Sequence, residues 1–184
     1  MEVLNIHERA FDAEPAKVGS LIDSLSSEDD RLWPRHIWPR MKFDRPLCVG
    51  AKGGHGPIRY FVEQYIPGKS IKFRFTGPKG FDGCHAFELM AGANNSVALR
   101  HTLKMDTHGL ANVSWALVFR PMHGALIEDC FTTGQVSLGL DPQVRAWPLW
   151  VRVLRWIISG GKTRPQARPE KTNAPERNSL RGES

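Results

Sequence analysis

GPIRYFVEQYIPGKSIKFRF, residues Gly56 to Phe75, is the stretch whose pattern decides the fold. Ile58, Tyr60, Val62, Gln64 and Ile66 alternate with Arg59, Phe61, Glu63 and Tyr65. That is the period of two expected of a strand with one buried face. Pro67-Gly68 turns the chain, and Ile71, Phe73 and Phe75 then alternate with Lys72, Arg74 and Thr76. The pattern predicts an antiparallel hairpin. Pairing Ile66 with Ile71 sets Glu63 opposite Arg74 on the polar face, a cross-strand ion pair that a one-residue slip would break.

Working outward, a second hairpin follows. Phe81 to Met90 places His85, Phe87 and Leu89 on one face and Cys84, Ala86 and Glu88 on the other. Gly92 to Ser96 is the turn, and Val97, Leu99, His101, Leu103 and Met105 continue the apolar face. Folding back about that turn brings His85 and His101 together. Upstream, Val3 to Phe11 is compatible with a strand. Pro15 suits the first position of a helix carrying Val18, Leu21, Ile22 and Leu25. Ser27 to Asp30 resembles a capping box and predicts a second short helix through Leu32. Trp33 to Met41, with two prolines, reads as an irregular connection, and Gly50 to Pro57 as a glycine-rich turn. Downstream, His123, Ile127, Cys130, Phe131, Gly134 and Leu138 form one helical stripe, and Pro121 should kink or interrupt that helix. Leu110 to Phe119 fits either helix or a last strand.

One strand, two short helices, a run of antiparallel strands and a long final helix make an α+β chain. A curved antiparallel sheet wrapped around one long helix cannot pack solidly along its whole length, so an internal cavity is expected between them. This order resembles the SRPBCC superfamily, which includes the START lipid-transfer domains, the polyketide cyclase/dehydrase-like proteins and the major birch-pollen allergen. The stretches carrying the resemblance are Ala13 to Val18, Gly56 to Phe75, Gly80 to Leu89 and Arg120 to Asp129. They look like a bacterial branch of that superfamily. The resemblance spans residues 1–140 and implies a helix-grip fold with a hydrophobic cavity; it does not imply one reaction.

The length, 184 residues, suits one domain with a tail. Lys and Arg number 25 against 19 Asp and Glu, a formal charge of +6, and the 41% hydrophobic content excludes wholesale disorder. Cys48, Cys84 and Cys130 are odd in number and far apart, which is neither a disulfide framework nor a paired metal site. The first residues, with Glu2, Glu8 and Arg9, do not read as a secretory signal, and no apolar run has the length of a membrane span. The chain is therefore expected in the cytoplasm. Residues 160–184, nearly free of large apolar side chains, are expected to be a disordered basic tail.

His85, His101, His123 and Arg120 form the most suggestive constellation. Imidazoles in an apolar pocket can orient a ligand or move protons, and Arg120 can neutralise an anion. Tyr60, Phe73, Phe75, Phe87 and Ile127 are the expected apolar partners in the cavity. The plain alternative is that each histidine is a hydrogen-bonded core residue. No metal or cofactor is expected, because no local ligand spacing supports one. The cluster Gly50, Gly53, Gly54 and Gly56 lacks a following helix and is no phosphate cradle, and Ser159 to Thr163 only mimics the end of a Walker motif. Glu128 and Asp129 are adjacent, point in different directions and are expected at the surface.

Residues 141–159 hold a second signal. Arg145, Arg152, Arg155, Ser159 and Lys162 share one helical stripe, beside Trp147, Trp150 and Trp156. Such a basic amphipathic helix suits a peripheral membrane contact, a homodimer contact, or packing on its own domain. With the sheet's aromatics facing inward, no stacking platform for nucleic acid is evident. Two functions fit: binding or transport of a hydrophobic small molecule or lipid in the cavity, or a cyclase/dehydratase-like activity with the cavity histidines as general acid and base.

Overall fold

A computed structural model describes residues 1–92 and 97–162. The predicted tail from residue 163 onward, and most of the turn at 92–96, lie outside the described residues. The chain opens with strand β1 (Glu2–Phe11) and helix α1 (Pro15–Asp23). Six strands follow: β2 (Lys42–Phe43), β3 (Lys52–His55), β4 (Ile58–Ile66), β5 (Ser70–Gly77), β6 (Phe81–Ala91) and β7 (Val97–Thr107). They form one antiparallel sheet in the order β1-β7-β6-β5-β4-β3-β2. A 28-residue helix then crosses its concave face. It consists of α2 (Leu110–Ser114), a π-helical segment (Trp115–Phe119) and α3 (Arg120–Ser137). Last comes α4 (Leu149–Ile158).

The 58–75 hairpin forms as expected, but its register differs. Ile66 pairs with Ser70 and Tyr65 with Ile71, and a bulge falls between Val62 and Gln64. An inserted residue reverses the alternation beyond it. Ile58, Tyr60 and Val62 are buried, whereas Gln64 and Ile66 face solvent and Tyr65 turns inward. There the Tyr65 hydroxyl donates to Asp23. Glu63 sits at the bulge without a facing residue, yet its carboxylate still meets Arg74 at 2.8 Å and Lys72 at 3.0 Å.

The predicted second helix at Ser27 to Leu32 is a turn instead. Asp30 draws the amides of Ser26, Leu32 and Trp33 onto its carboxylate, which fixes a tight bend rather than capping a helix. The glycine-rich stretch contributes β3. Leu110 to Phe119 is helical. The helix also runs through Pro121 without ending, because the turn before it is π-helical. There the Arg120 amide reaches back to Trp115, and the wider turn shifts the inward stripe by about one residue. Ala111 and Trp115 are thereby turned inward.

The two halves of the long helix meet different surroundings. Toward its C-terminal end, Cys130, Phe131 and Gly134 pack against Phe11, Leu21 and Leu32 in a closed core. Helix α1 comes so close to the 67–69 turn that a Cβ on Gly19 would lie 2.1 Å from the Gly68 carbonyl oxygen. The N-terminal half, from Trp115 to Ile127, stands off the sheet. Among the described residues, no helix is long and apolar enough to cross a membrane.

Candidate functional site

The gap under the N-terminal half of the helix is a cavity of about 160 Å³. Strands β6 and β7 give it His85, Phe87, His101, Leu103 and Met105; the helix gives Trp115, Met122, His123 and Ile127. Trp33 and Trp38 wall it from the connecting segment, His55 from the end of β3, and Ile158 from the end of α4. Strict alternation along β6 and β7 places both strand histidines on the concave face.

His85 and His101 share a hydrogen bond, Nδ1 to Nε2, of 3.2 Å. The His123 ring stands 5.0 Å from that of His101. Phe73 and Phe75 stack on His85 at 4.9 and 5.2 Å, and the Phe87 ring lies 4.7 Å from that of His101. Such surroundings disfavour an imidazolium. Burial holds His85 and His101 well below the ordinary histidine range and His123 at about 3. His55, whose Nδ1 meets the Tyr60 hydroxyl at 3.0 Å, is lowered to about 4 by burial and the nearby Arg59 charge. Burial pushes the Tyr60 phenol far above its usual value. The outer nitrogens, His85 Nε2 and His101 Nδ1, have no partner among the described residues, nor has His123 Nδ1.

Of the residues expected in the cavity, His85, His101, His123, Phe75, Phe87 and Ile127 line it. Tyr60 and Phe73 do not; they are buried behind His85 and brace its ring. Arg120 is not there at all. Phe119 and His123 carry the inward face of the helix, and Arg120, between them, projects into an outer groove with Asn5, His7, Glu128, Arg145 and Trp150. Among the described residues no cluster of side chains is arranged to hold a metal ion.

Neither Glu128 nor Asp129 is a free surface charge: Asp129 is buried, and Glu128 is half-buried at the edge of the outer groove. Glu128 receives His7 Nδ1 at 2.9 Å and Arg9 at 2.6 Å, with Arg145 at 3.2 Å. Burial presses its pKa upward, but the His7 hydrogen bond and the charges of Arg9 and Arg145 outweigh that, and the result is a lowered value. Buried Asp129 accepts from the indoles of Trp38 at 2.8 Å and Trp147 at 2.9 Å.

The basic helix packs on its own domain through Val151 and Leu154. The Arg155 guanidinium lies between the rings of Trp38 and Trp147, 4.3 and 4.5 Å from them, and donates to the Ile37 carbonyl. Arg155 and Trp147 therefore face the domain. Arg152, Trp150 and Trp156 remain on the outer side.

The sequence pattern also carries two further histidines of the site. Val3, Asn5, His7, Arg9 and Phe11 alternate inward along β1, which was enough to put His7 on the concave face. His55 was hidden by the glycines around it.

No family model matches the chain, and no curated protein matches it. Solved structures do. A norcoclaurine synthase point mutant from Thalictrum flavum, in complex with a transition-state analogue, superposes with a TM-score of 0.58 at 10% identity. It covers 76% of this chain and 96% of its own. CalU16 from Micromonospora echinospora gives 0.55 at 12% identity, over 88% of this chain and 96% of its own. A Thermobifida fusca protein gives 0.56 at 11% identity, over 77% and 97%. At such identities the likeness is one of fold: the chain has a helix-grip fold.

Proposed function

We propose that the chain binds a compact, largely apolar small molecule in the cavity, against His85, His101, His123, Phe75, Phe87 and Ile127. The observation that carries this is a hollow of about 160 Å³ between sheet and helix whose walls are aromatic and aliphatic except for imidazoles. Apolar walls with a few polar groups are the usual make-up of a ligand site. A hollow of this size suits a molecule on the order of one or two small rings. It favours such a ligand over a long-chain lipid. The helix-grip fold supports the reading, since a Thalictrum flavum enzyme of that fold holds a transition-state analogue.

The experiment is a thermal-shift and calorimetric titration with benzene, indole and 1-naphthol. Val118 on the helix also lines the cavity, so binding by the wild type, and its loss in Val118→Trp, is the expected result. Absence of binding by any of the three, with native mass spectrometry also showing no retained small molecule, would overturn the proposal.

A peripheral contact through residues 145–162 is part of the same proposal. It is supported by the outer side of α4, where Leu149, Trp150, Trp156 and Ile157 are exposed beside Arg152. Vesicle flotation and solution mass of the full chain, compared with Trp156→Glu/Ile157→Glu, separate a membrane from a second copy.

A further inference from the structure

We propose that His85, His101, His123 and His7 form a proton-conducting file joining the cavity to Glu128 on the outer face. On this view the cavity hosts acid–base chemistry as well as binding. The choice of a compact apolar substrate rests on the binding proposal above; the file itself does not.

The topology builds the file. Strands β1, β7 and β6 are neighbours, and His7 stands directly opposite His101 in their register. His123 hangs over them from the helix, its ring 5.0 Å from that of His101 and 6.1 Å from that of His7. The inner end is the 3.2 Å hydrogen bond between His85 and His101. The outer end is the 2.9 Å contact of His7 Nδ1 with Glu128. An ionised carboxylate only accepts, so His7 Nδ1 carries the hydrogen and Nε2 is the nitrogen left to exchange a proton. The Glu128 side chain is 14% exposed and opens on the groove, which completes the route to solvent.

Four ring nitrogens along this route, His85 Nε2, His101 Nδ1, His123 Nδ1 and His7 Nε2, are buried without a partner among the described residues. Burying such an atom unpaired is unfavourable, and phenylalanine or leucine would avoid it. Packing alone therefore does not account for four of them on successive rings. The steps between His101, His123 and His7 are within reach of a ring rotation or one bridging water.

Transfer along the file balances. The bound molecule gives a proton from a weakly acidic O–H, or from a C–H beside a carbonyl, to the first imidazole and keeps the electron pair. Each imidazole takes a proton on one nitrogen and releases one from the other. His7 passes one to Glu128, and Glu128 to water. No ring keeps a charge, which matters because burial disfavours a resident imidazolium at these positions. The reverse sequence delivers a proton to the cavity.

The test is ring N–H exchange with water, followed by NMR on the full, ligand-free chain with ¹⁵N-labelled histidine. The proton shared by His85 and His101 should exchange at least ~100-fold faster than the backbone amides of β6 and β7. His7→Gln should slow it at least ~10-fold while those amides keep their protection. Glu128→Gln should do the same, and provides a second arm should His7→Gln not fold. A wild-type ring rate equal to that of the amides, or a rate unmoved by these changes, would overturn the file. Ligand binding is measured separately, so loss of one proposal is distinguishable from loss of the other.

Discussion

The indole of Trp150 donates to the carbonyl of Leu117 at 2.7 Å. In an α-helix that carbonyl would receive the amide of residue 121, but residue 121 is proline and has none. A side chain from α4 thus supplies the missing donor on the long helix, just where the π-helical segment meets α3. Removing it hands that exposed carbonyl to water, at a net cost of about 1 kcal/mol, the ordinary worth of one such hydrogen bond. Trp150→Phe should lower the melting temperature by roughly 2–4 °C. In a Pro121→Ala background, where the amide is restored, the same change should cost measurably less. Equal costs in the two backgrounds, read from a double-mutant cycle, would contradict this coupling.

Acid should destabilise the protein well before its carboxylates titrate. His55 at about 4, His123 at about 3, and His85 and His101 lower than usual are all kept neutral by burial. The ordinary value is 6.5, so the unfolded chain takes up protons that the native chain does not. Stability is therefore full above about pH 6.5 and falls as pH drops toward about 4, by up to ~1.4 kcal/mol per pH unit for each histidine. Urea midpoints at about pH 7 and about pH 5 should differ strongly, and His123→Leu should reduce the difference by one proton's worth. Identical midpoints at the two pH values would refute the assignment.

His123→Leu should also stabilise the protein near neutral pH. His123 Nδ1 is buried without a partner among the described residues. Replacing it with an apolar side chain removes that penalty, a gain of roughly 1 kcal/mol. A gain in stability at a cavity position marks a residue kept for its chemistry. A loss of ~2 kcal/mol or more on chemical denaturation, the scale of core truncations, would instead identify His123 as a packing residue.

Arg155 clamps α4 through two faces. Its guanidinium lies 4.3 Å from the Trp38 ring and 4.5 Å from the Trp147 ring. Each contact is worth on the order of 0.5–2 kcal/mol. Arg155→Ala should expose the 145–162 segment to limited proteolysis. Arg155→Lys should rescue it poorly, because a compact ammonium cannot contact both inclined indoles and the Ile37 carbonyl at once as the broad guanidinium does. Full protection in the lysine variant would show that charge alone suffices.

Gly83 is set by close backbone approach. A Cβ there would lie 2.3 Å from the Lys104 carbonyl oxygen and 2.4 Å from Met105 Cα on the neighbouring strand. Gly83→Ala should force β6 and β7 apart and cost several kcal/mol, on the order of ~3. A midpoint shift within error of zero would show that the strands yield freely.

Period-two alternation made the two hairpins and the His85–His101 pair legible in the sequence, because both strands have one buried face. The bulge at Glu63 was not legible: alternation continues through the letters while the backbone inserts a residue. The same limit applied to Arg120. A regular helical period puts it near His123, and only the side-chain directions around the π-helical turn show which of Phe119 and Arg120 points inward. Glu128 and Asp129 looked like surface charges because their partners, Arg9, His7, Trp38 and Trp147, are distant in sequence. The tryptophans of α4 were ambiguous for a related reason, since amphipathicity does not say what covers the apolar side.

Asp129 Oδ2 receives both Trp38, 91 residues upstream, and Trp147, 18 residues downstream. A single atom thus serves as the common bolt for the front connection and the rear strap. Tension applied to the strap is transmitted to Trp38, which is itself a wall of the hollow. Neither segment can be redesigned or lost alone without loosening the other.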